Sequence, residues 1–380
     1  MHPITIIGSG LAGYTVAREL RKLDREMPLR IVSRDHGGFY SKPMLSNALA
    51  AGKSAAQLLM KTAEQMATEL NAEILTHTRI DAIDTGRQIV TSSRGELGYG
   101  KLVLALGADP FTPGLHGDAA ADVISVNDLD DYERFRQAID GRRRIAILGG
   151  GLIGCEFAND LAGKGYQVDV VDPAQWPLSR LLPEAAGALL RSRLEALGVR
   201  FHLGSSAGRI ERAGAAYRLT LSSGQELDAD VVLSAIGLRP RLALAQAAGL
   251  ATARGISVDR QLQSSVPGIH ALGDCAEVEG QLLPFVMPII QAARALAATL
   301  SGNPSPVRYP AMPVAVKTPA CPTTVCTPPA GCIGDWQIET FADGLKALYV
   351  DPQDQLRGFA LLGSANSEKQ ALTAGLPAWL

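Results

Sequence analysis

The sequence predicts an α/β protein with two nested Rossmann-like dinucleotide-binding domains and a small C-terminal α/β domain, on three observations. The apolar run Ile4-Thr5-Ile6-Ile7 breaks into Gly8-Ser9-Gly10-Leu11-Ala12-Gly13, and a second run, Arg144 to Leu148, breaks into Gly149-Gly150-Gly151-Leu152-Ile153-Gly154. Each reads as a strand, a G-x-G-x-x-G turn and a helix. Beyond the second unit, an apolar strand from Ile269 ends in Gly273-Asp274 and takes the chain back to the first. From Pro310 the texture changes to short strands with a proline-stiffened loop. The expected boundaries are 1–110 with 240–310 for the first domain, 111–239 for the second and 311–380 for the third.

In such a turn the first glycine permits the tight bend, the second lets backbone approach a pyrophosphate, and the third lets helix pack on strand. Gly8, Gly10 and Gly13, with Leu11 and Ala12 between them, are therefore expected to hold one dinucleotide, and Gly149, Gly151, Ile153 and Gly154 another. Tyr14 to Leu23 continues as a helix, and Leu29 to Ser33 reads as the second strand. The usual ribose acid at that strand's end is replaced by Ser33-Arg34; Asp35 follows, either as a ribose ligand or as a solvated loop carboxylate. In the second unit, Asp172 stands 21 residues beyond Gly151 at the end of the strand Gln167 to Val171. That spacing suits an acid that takes the ribose hydroxyls and repels a 2′-phosphate, so NADH is expected over NADPH.

Between the two units, Tyr40-Ser41-Lys42-Pro43-Met44-Leu45-Ser46 lacks the cysteine pair of a dithiol relay. Electrons must then leave from a flavin directly. Lys42 and Pro43 are expected beside its ring, the alternative for Lys42 being a solvated lysine. Lys61 to Leu70 reads as a helix and Ala72 to Thr76 as a strand. Arg79-Ile80, also expected at the cofactor, leads into a hairpin through Val90. Lys101 to Ala108 reads as one buried strand whose small residues, Ala105 and Gly107 among them, admit a cofactor, and Gly237 closes a similar strand at Val231. A linker is expected from Asp109 to Gly117, then a helix from Asp128 to Ile139.

Glu156 is placed in the first turn of the second Rossmann helix and has two readings, a contact to the nicotinamide carboxamide or an acid favoured by the helix dipole. Asp274 likewise reads as a ligand to the flavin ribityl chain or as a helix N-cap. The third domain is expected to hold strands at Ala311 to Val316, Trp336 to Thr340, Leu345 to Val350 and Arg357 to Leu362, then a helix near Asn366 to Leu372. Lys317, in the loop Lys317-Thr318-Pro319-Ala320-Cys321-Pro322, is expected to reach the flavin N1/O2 edge. Two-cofactor hydride transfer from FAD's partner NADH needs orientation more than acid–base groups, so no histidine is given a role.

The chain has 380 residues, 47% hydrophobic and 19% charged, with a net charge of -2. That balance suits a globular protein of two or three domains and provides no general attraction to nucleic acid or anionic membrane. The run from Leu283 to Ile290 contains two prolines and is too short to span a bilayer. No secretory segment precedes Ile4, and five cysteines without framework spacing suit a reducing compartment, so a cytoplasmic location is expected. Cys321, Cys326 and Cys332 form no C-x-x-C pair, so no metal site is expected.

The order G-S-G-L-A-G, Y-S-K-P-M-L-S, G-G-G-L-I-G-C-E-F-A-N-D-L, S-A-I-G-L-R-P, A-L-G-D-C-A-E-V and V-K-T-P-A-C-P resembles the bacterial rubredoxin reductases, among the glutathione-reductase-like flavoproteins of the pyridine nucleotide-disulfide oxidoreductase superfamily. The resemblance runs from Ile4 to the C-terminal helix. It implies FAD-dependent electron transfer from NADH to rubredoxin, a small acidic iron protein that supplies alkane hydroxylase or enzymes removing oxygen and peroxide. By that likeness Lys42, Pro43, Asp274 and Lys317 contact flavin, and Glu156 lies on the nicotinamide side. Docking is expected through a basic rim and to weaken with salt. A ferredoxin or flavorubredoxin as acceptor, or a redox-sensing flavoprotein of low turnover, are the alternatives. The C-terminal segment is short for the dimerisation domain of disulfide reductases, so a monomer is expected.

Overall fold

A computed structural model describes residues 2–380. Both glycine turns lie at the carboxyl ends of central parallel strands. The first sheet runs Ile269–Ala271, Lys101–Leu104, Ile4–Ile7, Leu29–Val32, Glu73–Leu75, every neighbouring pair parallel. The second runs Val199–Leu203, Gln167–Asp172, Arg144–Leu148, Val231–Ser234, Ile124–Ser125, again all parallel. In each, the chain leaves the central strand to one side and later returns on the other, which opens a crevice above that strand. The near-continuous apolar sequence of these strands matches their burial on both faces, where in the second sheet Ala146, Leu148 and Val232 pack on one side against Ile210, Leu219 and Leu221 of an antiparallel sheet.

The helix Val286–Leu300 packs its Ala292, Ala293, Leu296 and Ala297 into the first core, against the Rossmann helix Leu11–Leu23. A second core is shared more widely. It joins Leu45, Ala48 and Leu58 to the second Rossmann helix Leu152–Ala162 and to Val316, Val325, Leu345 and Leu362 of the C-terminal sheet. The three parts of the chain therefore meet on one helix.

Several expectations are corrected. Lys101 to Ala108 is not one strand: pairing stops at Leu104, Gly107 turns the chain at φ +70°, and Ala108–Pro110 forms a separate ribbon with Leu238–Pro240. Part of the expected linker is thus a crossing point between the two sheets. The hairpin after Arg79 is a three-stranded sheet, Ile80–Asp84, Ile89–Ser92, Gly95–Gly98. The C-terminal sheet is antiparallel and five-stranded, in the order Val314–Val316, Thr323–Cys326, Leu356–Gly363, Gly344–Val350, Asp335–Thr340. It is followed by a 3-10 turn, Ser364–Glu368, and only then a helix, Lys369–Ala374. The helix Glu184–Ala196 and the sheet Ala207–Ala213, Ala216–Leu221, Glu226–Ala229 have no counterpart in the sequence reading. Among the described residues no helix is long and apolar enough to cross a membrane.

Candidate functional site

The two Rossmann helices both open on a glycine. Their N-caps are Gly10 and Gly151, neither provides a capping side chain, and neither helix has an acid in its first turn. Three other helices are capped by Ser54, Thr62 and Asp128. Uncapped first-turn N–H groups need an acceptor, and an anion is the natural one. The glycines show where it fits. A Cβ at Gly8 would overlap the Ala105 carbonyl, and one at Gly149 would stand 2.6 Å from that of Ala235, whereas Gly10 and Gly151 face open space with no heavy atom within 4 Å of an added Cβ. Each turn is closed on the strand side and open toward a ligand, which suits a bound dinucleotide.

At the first turn, the Ser9 and Ser33 hydroxyls lie 2.6 Å apart, and Ser33 Oγ donates to Asp35 Oδ1 at 2.6 Å. The Gly37 N–H also donates to that oxygen, at 2.8 Å. Asp35 is thus half-buried and tied to the turn, not a solvated loop carboxylate. Burial raises its pKa, but the Ser33 and Gly37 hydrogen bonds outweigh this and hold it below the ordinary range. At the second turn Asp172 takes the Gly150 N–H at 2.5 Å and the Ala174 N–H at 2.7 Å. Thr78 N–H bonds the Ser33 carbonyl, so the chain before Arg79 and Ile80 passes this edge, but the Arg79 guanidinium is exposed and bonds Asp81 instead. Ile153 is 39% exposed at the second turn. Gly273, at φ +79°, brings its backbone against Ala12, and Gly237, at φ +116°, accepts the Phe111 N–H at its carbonyl.

Asp274 is not an N-cap. It lies in the 3-10 turn Gly273–Cys275, and the next helix starts at Val286 behind Phe285. Its charge acts on Lys42, which is not a solvated lysine either: Nζ donates to Asn127 Oδ1 at 2.6 Å. Burial lowers the pKa of Lys42, with Asp274 opposing the shift and Arg241 adding to it. Pro43 is the second residue of the 3-10 helix Lys42–Asn47, which opens with Lys42 and buries Ser46.

Of the two roles expected of Glu156, the helix-terminal one does not hold. It lies beyond the first turn, so it is no helix-terminal acid, and its fully buried carboxylate turns to Ser46 and Lys317. Lys317 donates twice, from its backbone N–H to Oε1 at 2.9 Å and from Nζ to Oε2 at 2.6 Å. The Lys317 ammonium, expected toward a flavin edge, is held by that ion pair. Next along the same helix, Asn159 accepts the Ala320 N–H at 3.0 Å and Asp160 accepts the N–H groups of Leu49 and Ala50 at 3.0 and 2.8 Å. Asn127, Ser46, Asn159 and Asp160 escaped the sequence reading; only a run of polar residues inside an apolar helix marked the last two.

Two uncapped, glycine-opened helices above parallel sheets, the second carrying a buried carboxylate paired with a lysine, define a two-dinucleotide oxidoreductase. The chain belongs to the pyridine nucleotide-disulphide oxidoreductase family, whose model matches residues 2–297. Residues 306–376 match a rubredoxin binding C-terminal domain. The chain is 48% identical to the rubredoxin-NAD(+) reductase of Alcanivorax borkumensis over 100% of its length and 99% of the relative's. It is 41% identical to a nitric oxide reductase FlRd-NAD(+) reductase of Aeromonas salmonicida, over 98% and 96%. Among solved structures it superposes on the ferredoxin reductase for the CYP199A2 system from Rhodopseudomonas palustris with a TM-score of 0.90 and 27% identity, covering 99% of this chain and 96% of that one. FAD and NAD(H) are the cofactors of this enzyme.

Proposed function

We propose that this chain reduces rubredoxin, drawing electrons from NADH through bound FAD. The observation that carries the reading is that the segment matched as rubredoxin-binding delivers Lys317 to Glu156, on the helix that opens the second glycine turn. Bound FAD supplies the chemistry, accepting a hydride and releasing electrons to an iron centre.

The chain's part is binding and orientation. Residues 1–110 and 240–310 form the FAD-binding domain, where Gly8, Gly10, Leu11, Ala12 and Gly13 hold the pyrophosphate and Asp35 the adenosine ribose. Residues 111–239 hold NADH through Gly149, Gly151, Ile153, Gly154 and Asp172. Lys42, Pro43, Ala105, Gly107, Gly237, Gly273 and Asp274 line the space between, and residues 311–380 receive the partner. The Arg79 side chain faces away, so only the backbone at Arg79 and Ile80 belongs to this edge. Glu156 holds Lys317 in place. The buried Glu156 carboxylate, which also accepts from Ser46, ties the partner-binding domain to the NADH side through this ion pair. We place the enzyme in the cytoplasm as a monomer that feeds alkane hydroxylation.

The same core suits flavorubredoxin, a reading favoured by the FlRd-NAD(+) reductase relatives. Steady-state reduction of purified rubredoxin, flavorubredoxin and a ferredoxin by NADH separates them. The proposal expects rubredoxin to give the highest kcat/KM, and preference for either other carrier overturns it.

A further inference from the structure

The two lysines expected at the flavin, Lys42 and Lys317, are held differently. Lys317 is neutralised by the Glu156 carboxylate at 2.6 Å. Lys42 has no carboxylate within ion-pair distance among the described residues; its ammonium rests on a neutral amide oxygen, Asn127 Oδ1, at 2.6 Å. Asn127 is itself buried and fixed at two other points. Its Nδ2 donates to the Ala108 carbonyl at 3.1 Å, and its backbone N–H donates to Asp131 Oδ2 at 2.9 Å. With Nδ2 engaged at Ala108, the amide can present only its oxygen to the lysine. Ala108 begins the ribbon where the two sheets cross, so Lys42 is anchored to the boundary of both nucleotide sites.

We propose that Asn127 is a positioning residue that holds the Lys42 ammonium at the flavin site without cancelling its charge, and so raises the reduction potential of bound FAD. This rests on the reading above that Lys42 faces the flavin. An amide accepts a hydrogen bond and leaves the cation's field intact, whereas an aspartate at 127 would pair with it. A cation held beside a group that gains negative charge on reduction favours the reduced form, the more so where water is scarce. The other charges facing Lys42 are Asp274, Asp128 and Asp109, which oppose its field, and Arg241, which adds to it.

The test is the midpoint potential of FAD in the intact holoenzyme, measured by dye-coupled reduction for the parent, Asn127→Leu, Lys42→Met and the double variant. Asn127→Leu removes the acceptor at similar volume. It is expected to lower the potential, so that at a fixed NADH/NAD+ ratio the reduced-to-oxidised flavin ratio falls by about tenfold, the scale of a single charge interaction in a partly buried site. In the Lys42→Met background the same substitution is expected to change nothing. An equal shift in both backgrounds would make Asn127 merely structural and overturn the inference. So would a shift in Lys42→Met with none in Asn127→Leu. No shift in Lys42→Met would overturn the placement of Lys42 at the flavin, and the inference with it. Asn127→Asp is the second variant should Asn127→Leu fail to retain FAD: neutralising the lysine is expected to lower the potential, and an unchanged value overturns the role.

Discussion

Lys317 grips the Glu156 carboxylate from both ends of one residue, with its backbone N–H at 2.9 Å and its ammonium at 2.6 Å. The two residues are 161 positions apart, on the C-terminal loop and the second Rossmann helix. Glu156 is fully buried, and its other side-chain partner is the Ser46 hydroxyl.

Removing the cation should therefore leave an uncompensated buried carboxylate. Lys317→Met is expected to cost about 3–5 kcal/mol in unfolding free energy, measured by urea denaturation of the holoenzyme. Glu156→Gln combined with Lys317→Met should recover most of that loss, because neither charge is then stranded. Equal stability of the parent and Lys317→Met would mean that the pair contributes nothing.

The glycine turns separate folding from binding. Gly10 and Gly151 have negative φ and open space before them, so alanine fits the fold at either position. Gly10→Ala should fold normally yet lose at least about tenfold in FAD affinity, or ~1.4 kcal/mol. Gly151→Ala should keep its yellow FAD and weaken NADH binding by a similar factor. Flavin release titrations and NADH binding at equilibrium measure both, and a reversed pattern would exchange the two sites.

The thiols report on the absence of a dithiol relay. Cys155, Cys275, Cys321 and Cys326 are buried, and burial raises the pKa of each, to about 11 for Cys275 and Cys326. Only Cys332 is half-exposed. A thiol reagent at neutral pH should titrate one cysteine rapidly in the native chain and five after denaturation. Blocking the fast thiol should leave flavin reduction by NADH unchanged. Two fast thiols, with activity lost, would point to a cysteine pair in electron transfer.

Asp230 sets an acid limb. Burial raises its pKa, but the Arg144 guanidinium and the backbone N–H groups of Arg144 and Arg143 outweigh this and hold it at about 2, against an ordinary 3.8. A depressed carboxyl pKa stabilises the fold above the unfolded value and loses that contribution as pH falls through the folded one. Asp230→Asn should be less stable than the parent at pH 5 in urea unfolding, and the gap should close between pH 3.8 and about 2. A gap that stays constant with pH would assign the effect to something other than this carboxylate's charge.

The legible parts of the sequence were those whose physics is local. A strand that runs into a glycine turn and a helix needs only neighbours in sequence, and the offset from Gly151 to Asp172 follows from the length of one strand–helix–strand unit. Partners chosen by tertiary packing were hidden. Nothing near Glu156 announces Ser46 or Lys317, and nothing near Asn127 announces Lys42, because those bonds join segments far apart in the chain that meet only on folding. The ribbon at Ala108–Pro110 looked like a linker for the same reason: its partner strand is Leu238–Pro240. The sheet at Ala207–Ala229 was missed because its strands alternate weakly and are largely exposed on one face.

The central claim, electron flow from NADH through flavin to rubredoxin, is tested most directly by anaerobic stopped-flow mixing. The yellow holoenzyme is mixed first with NADH and then with oxidised rubredoxin, with flavin and rubredoxin absorbance followed together. NADH is expected to bleach the flavin fast and NADPH much more slowly, and the flavin band is expected to recover as rubredoxin bleaches. Flavin that stays oxidised under NADH, or reduced flavin that leaves rubredoxin coloured, would contradict it.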